Sequence, residues 1–160
     1  MRKIVSVIGG GSCAPEDAAV ARELGRRLAE GGYVVLTGGL GGVMEAASRG
    51  AAEAGGEVIG VLPGVVREEA NPYVGIALTT GIGEARNVIV ATSGHAVVAV
   101  GGGLGTLSEI AFALKHGRPV LGLGTWTLPE HRIPREGVVA VESVDEAIER
   151  LDDLLGGGAT

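Results

Sequence analysis

Three times along this chain a short, branched apolar run ends in a cluster of glycines and passes straight into a helical pattern. The fullest case is residues 96–109. Ala96 to Val100 reads as a buried strand, and Gly101, Gly102, Gly103 and Gly105 follow at once. From Thr106 the spacing of Leu107, Ile110, Ala111 and Leu114 predicts a helix with one apolar face. A strand, a glycine loop and a helix start bring free backbone N–H groups and the positive helix end to one spot, which suits a phosphate or another anion. The plainer alternative is a tight strand–helix turn; four glycines and a hydroxyl residue favour the anion site.

The other two cases are Lys3 to Ile8, which runs into Gly9, Gly10, Gly11 and Ser12, and Tyr33 to Leu36, which runs into Thr37, Gly38, Gly39, Leu40, Gly41 and Gly42. Helices are predicted from Pro15 to the Gly31-Gly32 stop, and through Met44, Ala47, Ala51 and Ala54. Glu57 to Leu62 is a third strand. Val65 to Tyr73 is a polar surface loop or short helix bordering the site. Ile76 to Thr79 is a strand, followed by a helix around Glu84 to Thr92 with Ile82, Ala85, Val88 and Ile89 inward. His95 to Val100 leads into the fullest motif, whose helix runs from Thr106 to His116. Pro119 to Leu123 and Val138 to Val141 are strands, and Gly124 to Arg135 is a loop. Trp126, in that loop, sits at a lip or fills the core. Ser143 caps a last helix, with Glu146 completing a capping box.

This alternation predicts an α/β fold: one Rossmann-like domain over residues 1–155, an open and mostly parallel sheet with helices on both faces, then a flexible tail over residues 156–160. In such a sheet, ligands bind outside the carboxyl ends of the strands, where several of these loops converge. No loop carries the Gly-Lys-Ser/Thr of a P-loop. The dinucleotide spacing fails as well, because position 14 is alanine, so no nicotinamide cofactor is expected.

Composition narrows the guest. The net charge is −6 and Lys and Arg form no stripe, which argues against nucleic acid. Aromatics are 2% of the chain, so a base-stacking platform is not expected either. No apolar run has the length of a membrane span. Cys13 is the only cysteine, which fits a reducing cytoplasm; it is a small filler or a nucleophile. His95, His116 and His131 are scattered, so no metal site is expected.

Two ionisable residues stand out. Arg86 lies in the first turn of a helix entered from a strand end, where a cation opposes the dipole; contact with a phosphate or carboxylate explains it better. Glu109 lies one turn into the helix behind the glycine loop. A carboxylate is favourable there in any case, but beside Arg86 it acquires a role in sugar or leaving-group chemistry. These two are the candidate catalytic residues. Gly10, Gly11, Ser12, Gly38, Gly39, Gly42, Met44, Glu45, Gly102, Gly103, Gly105 and Thr106 are the candidate ligand-binding residues, with Glu45 equally a solvated helix start.

Thr37 to Glu45, Ala54 to Pro63 and Gly101 to Glu109 together resemble the LOG family, the cytokinin-activating phosphoribohydrolases formerly described as lysine decarboxylases. The family patterns are Gly-Gly-Gly-x-x-Gly-Leu-Met-Gly and Pro-Gly-Gly-x-Gly-Thr-x-x-Glu. Thr37, Val43, Glu45 and Gly101 depart from them, whereas Gly102, Gly103, Gly105, Thr106 and Glu109 match. The family's catalytic arginine falls on Arg86, within Gly83-Glu84-Ala85-Arg86-Asn87 where the plant-hormone enzymes have His-Glu-Arg-Lys. These departures resemble a sister group that contains the molybdenum-cofactor carrier proteins. The resemblance implies a Rossmann-like fold, a homodimer or larger assembly, and a phosphorylated small-molecule ligand. Two functions stay open. One is hydrolysis of the N-glycosidic bond of a nucleoside monophosphate, with the phosphate on Gly102 to Thr106. The other is a non-catalytic carrier or sensor of a phosphorylated pterin or nucleotide.

Overall fold

Each glycine-terminated apolar run is a strand, and all the strands are parallel. The computed structural model describes residues 1–133 and 136–158. The strands are β1 (Ile4–Gly9), β2 (Val34–Thr37), β3 (Val58–Leu62), β4 (Ile76–Thr79), β5 (Ala96–Val100), β6 (Val120–Leu123) and β7 (Val138–Ala140). They form one seven-stranded sheet in the order β4-β3-β2-β1-β5-β6-β7. The helices are α1 (Pro15–Glu30), α2 (Val43–Glu53), α3 (Arg86–Ser93), α4 (Leu104–Lys115) and α5 (Val144–Leu155). The fold is therefore the expected α/β Rossmann-like sheet.

The chain builds outward from β1 to β4, then returns to the other side of β1 with β5. That reversal parts the loops after β1 and β5 and opens a crevice at their carboxyl ends. The central strands are apolar on both faces because both are covered. One face packs Val5, Val7, Val35 and Val98 under residues such as Leu24, Ala47 and Leu151 of α1, α2 and α5. The other packs Ile8, Leu36, Val61 and Val97 under Val90, Ala91, Ile110 and Ala113 of α3 and α4. Edge strand β4 is the exception to full cover: Ile76 and Leu78 are 41% and 46% exposed.

Helices α1 and α2 meet through two mid-helix glycines. A Cβ on Gly25 would lie 2.0 Å from the Ala47 carbonyl oxygen, and one on Gly50 only 1.8 Å from that of Arg22. The reading of the sequence placed glycines at the ends of apolar runs and passed over these two.

Two helices differ in phase from that reading. A 3-10 turn over Gly83–Ala85 precedes α3, so the α-helix starts at Arg86 and turns Arg86, Asn87, Val90 and Ala91 inward. Ile82 and Ala85, expected inside, are exposed. Helix α4 starts at Leu104, two residues earlier than expected, and buries Thr106, Glu109, Ile110 and Ala113, leaving Ala111 exposed. In both helices polar residues occupy the buried seam, which apolar spacing cannot detect.

Several open alternatives resolve. Trp126 is at a lip, 36% exposed, and its Nε1 donates to the Gly103 carbonyl at 3.0 Å. Cys13 is half-buried against the α1 side of the core, and burial together with the Asp17 carboxylate pushes its thiol above the ordinary value, which disfavours the nucleophilic thiolate. Ser143 Oγ accepts from the Glu146 N–H at 3.2 Å. The Glu146 carboxylate accepts from Glu142, one residue before the cap, rather than from the cap itself. At the carboxyl terminus Gly158 is buried against the Gly31–Tyr33 turn. Residues 159–160 of the expected tail, and Pro134 and Arg135 of the expected loop, lie outside the described residues. Among the described residues no helix is long and apolar enough to cross a membrane.

Candidate functional site

The glycine loops after β1 and β2 are held against each other by backbone rather than by side-chain bulk. The Val43 N–H at the start of α2 donates to the Gly10 carbonyl at 3.0 Å. This clasp requires glycine at position 42, where φ is +62° and a Cβ would sit 2.1 Å from that carbonyl oxygen. Thr37, at the first glycine position of the family pattern, takes a structural role: its buried Oγ1 accepts the Gly39 N–H at 3.0 Å. Asn71 secures the same loop from the segment after β3, donating its N–H to Gly39 at 2.9 Å and its Nδ2 to the Leu40 carbonyl at 3.0 Å.

The loop after β5 is braced from outside. Thr125 Oγ1 donates to the Gly101 carbonyl at 2.6 Å, and Trp126 to that of Gly103. With these carbonyls drawn toward β6, the start of α4 carries no side-chain cap and its first N–H groups remain available.

Between these loops lies a cleft of about 380 Å³ lined by Gly9, Gly10, Gly11, Leu40, Met44, Pro63, Glu84, Arg86, Asn87, Gly103, Gly105, Thr106 and Glu109. Arg86, 9% exposed, is strapped across the ends of β2 and β3. Its Nε donates to the Val61 carbonyl at 2.9 Å, one Nη to Gly38 at 3.4 Å, and the other Nη to Asn87 Oδ1. A guanidinium has five N–H donors. With three engaged by the protein, two remain for a guest, and they suit a bidentate grip on an oxyanion. Burial lowers the pKa of Arg86, opposed by the carboxylates of Glu109 and Glu84, and the group stays charged.

Glu109 is 7% exposed and makes no hydrogen bond among the described residues. Among the described residues no fully buried side-chain polar atom lacks a partner, so its carboxyl oxygens reach the cleft. Burial pushes its pKa up to about 7, against the opposing pull of Arg86. No ion pair within 4.0 Å joins the two among the described residues, although both line the cleft. A carboxyl that exchanges its proton near neutrality beside a fixed cation can donate a hydrogen bond to a guest or accept a proton from one.

Of the sequence-predicted residues, the cleft gathers Arg86, Glu109, Gly10, Gly11, Met44, Gly103, Gly105 and Thr106. Gly38 and Gly39 lie behind it: the first accepts from Arg86, the second packs on Leu62. Gly102 packs on Thr106, and Ser12 is exposed outside the lining. Gly42 and Glu45 line a different hollow, with Ala18, Ala19, Arg22, Ala46 and Arg49 between α1 and α2, so neither is part of the cleft lining. Asn87, Asn71, Glu84 and Pro63 were not among the predicted residues. Only Asn87 carried a usable signal, as a second polar residue next to Arg86 in an apolar helical stretch. A larger hollow of about 780 Å³, bordered by Leu114, Lys115, His116 and Leu128, lies at the far end of α4, where the helix dipole disfavours anions.

The geometry predicts a variant that damages the site and spares the fold. A Cβ on Gly38 would lie 2.8 Å from an Arg86 Nη and 2.6 Å from Met44 Sδ, both the far ends of side chains rather than backbone. Gly38→Ala is therefore expected to change the unfolding free energy by less than about 1 kcal/mol while weakening phosphate binding about fivefold by displacing Arg86. Calorimetric titration with denaturant melts on the same protein checks both, and unchanged affinity would contradict the placement of Arg86.

Comparison with known proteins agrees with this architecture. The model of the SLOG cluster4 family matches residues 2–148. An uncharacterised protein of Archaeoglobus fulgidus is 42% identical over 144 residues, 90% of this chain and 91% of that protein. The structure of the molybdenum cofactor binding protein of the phototrophic bacterium Rippkaea orientalis is similar, with TM-score 0.90, 39% identity, and coverage of 97% of this chain and 98% of that one. The molybdenum cofactor carrier protein of Chlamydomonas reinhardtii is 40% identical with TM-score 0.85, over 98% of this chain and 99% of that one. The LOG-like resemblance, on the side of the carrier proteins, holds.

Proposed function

Since the chain belongs to the SLOG cluster4 family, we propose that it binds a phosphorylated pterin of the molybdenum-cofactor type in this cleft and carries it as cargo without turnover. The observation that carries the reading is Arg86, immobilised by three protein partners with two N–H groups left over, in the same cleft as the uncapped start of α4. The phosphate takes the N–H groups of Gly103 to Thr106 and the guanidinium. Glu109, protonated about half the time near neutrality, donates to the guest where a fixed negative charge would repel it. The two similar structures described as cofactor binding and carrier proteins support the choice of pterin.

A second reading rests on the same carboxyl. With Glu109 titrating at about 7 beside Arg86, the cleft suits cleavage of a nucleoside monophosphate. Water adds to the anomeric carbon and gives up a proton as the bond to the base nitrogen breaks, and the base leaves with a proton.

Calorimetric titration with a hydroxymethylpterin phosphomonoester and with adenosine monophosphate, combined with chromatography for released base, separates the two. The carrier reading expects the pterin ester to bind, about 30-fold more weakly after Arg86→Ala, and no base to appear. Base released by the wild type and not by Glu109→Gln establishes the hydrolase instead. Binding of neither compound, or equal binding by Arg86→Ala, contradicts both.

With this reading goes a homodimer or larger assembly in a reducing cytoplasm. Light scattering tests that assembly.

A further inference from the structure

Asn87 lines the cleft next to Arg86, is buried, and has both ends of its amide engaged. Its Oδ1 accepts from an Arg86 Nη, and its Nδ2 donates to Ser108 Oγ at 3.4 Å. Ser108 Oγ in turn donates to the Gly105 carbonyl at 2.6 Å, within the first turn of α4. One continuous polar chain thus runs from the cation on α3 to the helix start expected to hold the anion. Without it, Arg86 keeps only the backbone acceptors of Val61 on β3 and of Gly38 just after β2, the latter at 3.4 Å. A long side chain held by fewer partners loses less rotamer freedom by swinging out to solvent.

We infer that Asn87 is a positioning residue: through Ser108 it fixes the Arg86 guanidinium relative to the first turn of α4, so that both donors meet one oxyanion together. This rests on the reading of the cleft as an anion site. Asparagine suits the task because a neutral amide accepts from the guanidinium and donates to the hydroxyl at once. An aspartate here would neutralise the cation, and a lysine would repel it.

The inference has a test that needs no guest. Arg86 faces two carboxylates, Glu109 from α4 and Glu84 from the turn before α3, and its charge holds the Glu109 titration down. In ligand-free protein, a carbon-detected NMR titration of the Glu109 carboxyl is expected to move upward by about half a pH unit or more in Asn87→Ala, because the cation is no longer held nearby. Ser108→Ala, at a half-exposed position that leaves folding intact, is expected to move it the same way by less. A midpoint unchanged in both variants overturns the inference, since a purely structural asparagine would alter stability alone.

Inorganic phosphate supplies the second arm. Asn87→Ala should weaken phosphate binding about tenfold in the wild-type background and less than about twofold in an Arg86→Lys background. A tenfold loss in both backgrounds means that Asn87 touches the anion itself, which also overturns the inference. A wild type that binds no phosphate removes the anion-site reading, and the ligand-free titration then decides Asn87 by itself.

Discussion

Glu109→Gln is expected to stabilise the protein by about 3 kcal/mol near pH 8 and by almost nothing near pH 4. The carboxyl lies in the cleft with no hydrogen bond among the described residues, and burial raises its pKa from the ordinary carboxylate value to about 7. Between the unfolded value near 4.3 and the folded value, the folded chain holds a proton that the unfolded chain has released. The stability that goes with this is complete below the unfolded value. It drains away as pH rises through about 7, where the folded protein must accept a buried carboxylate. Glutamine has the shape of the protonated form and never charges, so its curve stays flat over that window. Urea unfolding of the two proteins from about pH 4 to about pH 8 measures the divergence. Parallel curves would mean that Glu109 is solvated in the folded state, and its role in the cleft would lapse. The same substitution is expected to remove the weakening of sulfate binding as pH rises through about 7, sulfate being chosen because it does not itself titrate there.

Gly50→Ala is the second large effect, and its sign opposes helix propensity. In the interior of an exposed helix, alanine gains about 1 kcal/mol over glycine. Here the new methyl would meet the backbone oxygen of Arg22 at 1.8 Å, and the obstructing atoms are backbone rather than a side chain that could move aside. Helix α2 must withdraw from α1, loosening the seam around Ala47 and Ala51 and, through the Val43–Gly10 clasp, the first and second glycine loops. A loss of about 3 kcal/mol is expected, read as a fall in the denaturation midpoint with the slope unchanged. Gly55→Ala is the control. That residue has φ +75° but nothing within 4 Å of its Cβ position, so backbone strain alone applies, about 1 kcal/mol. Equal losses at the two positions would refute the close helix contact.

The strands were legible because an apolar run that stops at glycine marks its own end. The β1, β2 and β5 ends fall within one residue of the reading, and the crevice follows from parallel order and chain reversal. The phases of α3 and α4 were not legible, for a reason tied to the site. Arg86, Asn87, Thr106 and Glu109 point inward because the cleft is there, and a rule that turns apolar residues inward must misplace such helices. Arg86 and Glu109 were reached by a different argument, the cation at a helix start and the carboxylate behind a glycine loop. The braces stayed hidden because they arrive from distant sequence: Asn71 reaches Leu40 from 31 residues away, and Trp126 reaches Gly103 from 23. The Gly25–Ala47 and Gly50–Arg22 contacts join residues whose neighbours give no local signal of each other.

Amide chemical-shift mapping with inorganic phosphate tests the central claim most directly, because it reports where an anion sits without presuming the rest of the guest. The largest changes are expected at Gly103, Gly105 and Thr106, with Gly10 and Gly11 following across the cleft. Changes centred on Lys115, His116 and Arg132 at the far end of α4, with those glycine amides unmoved, would contradict it.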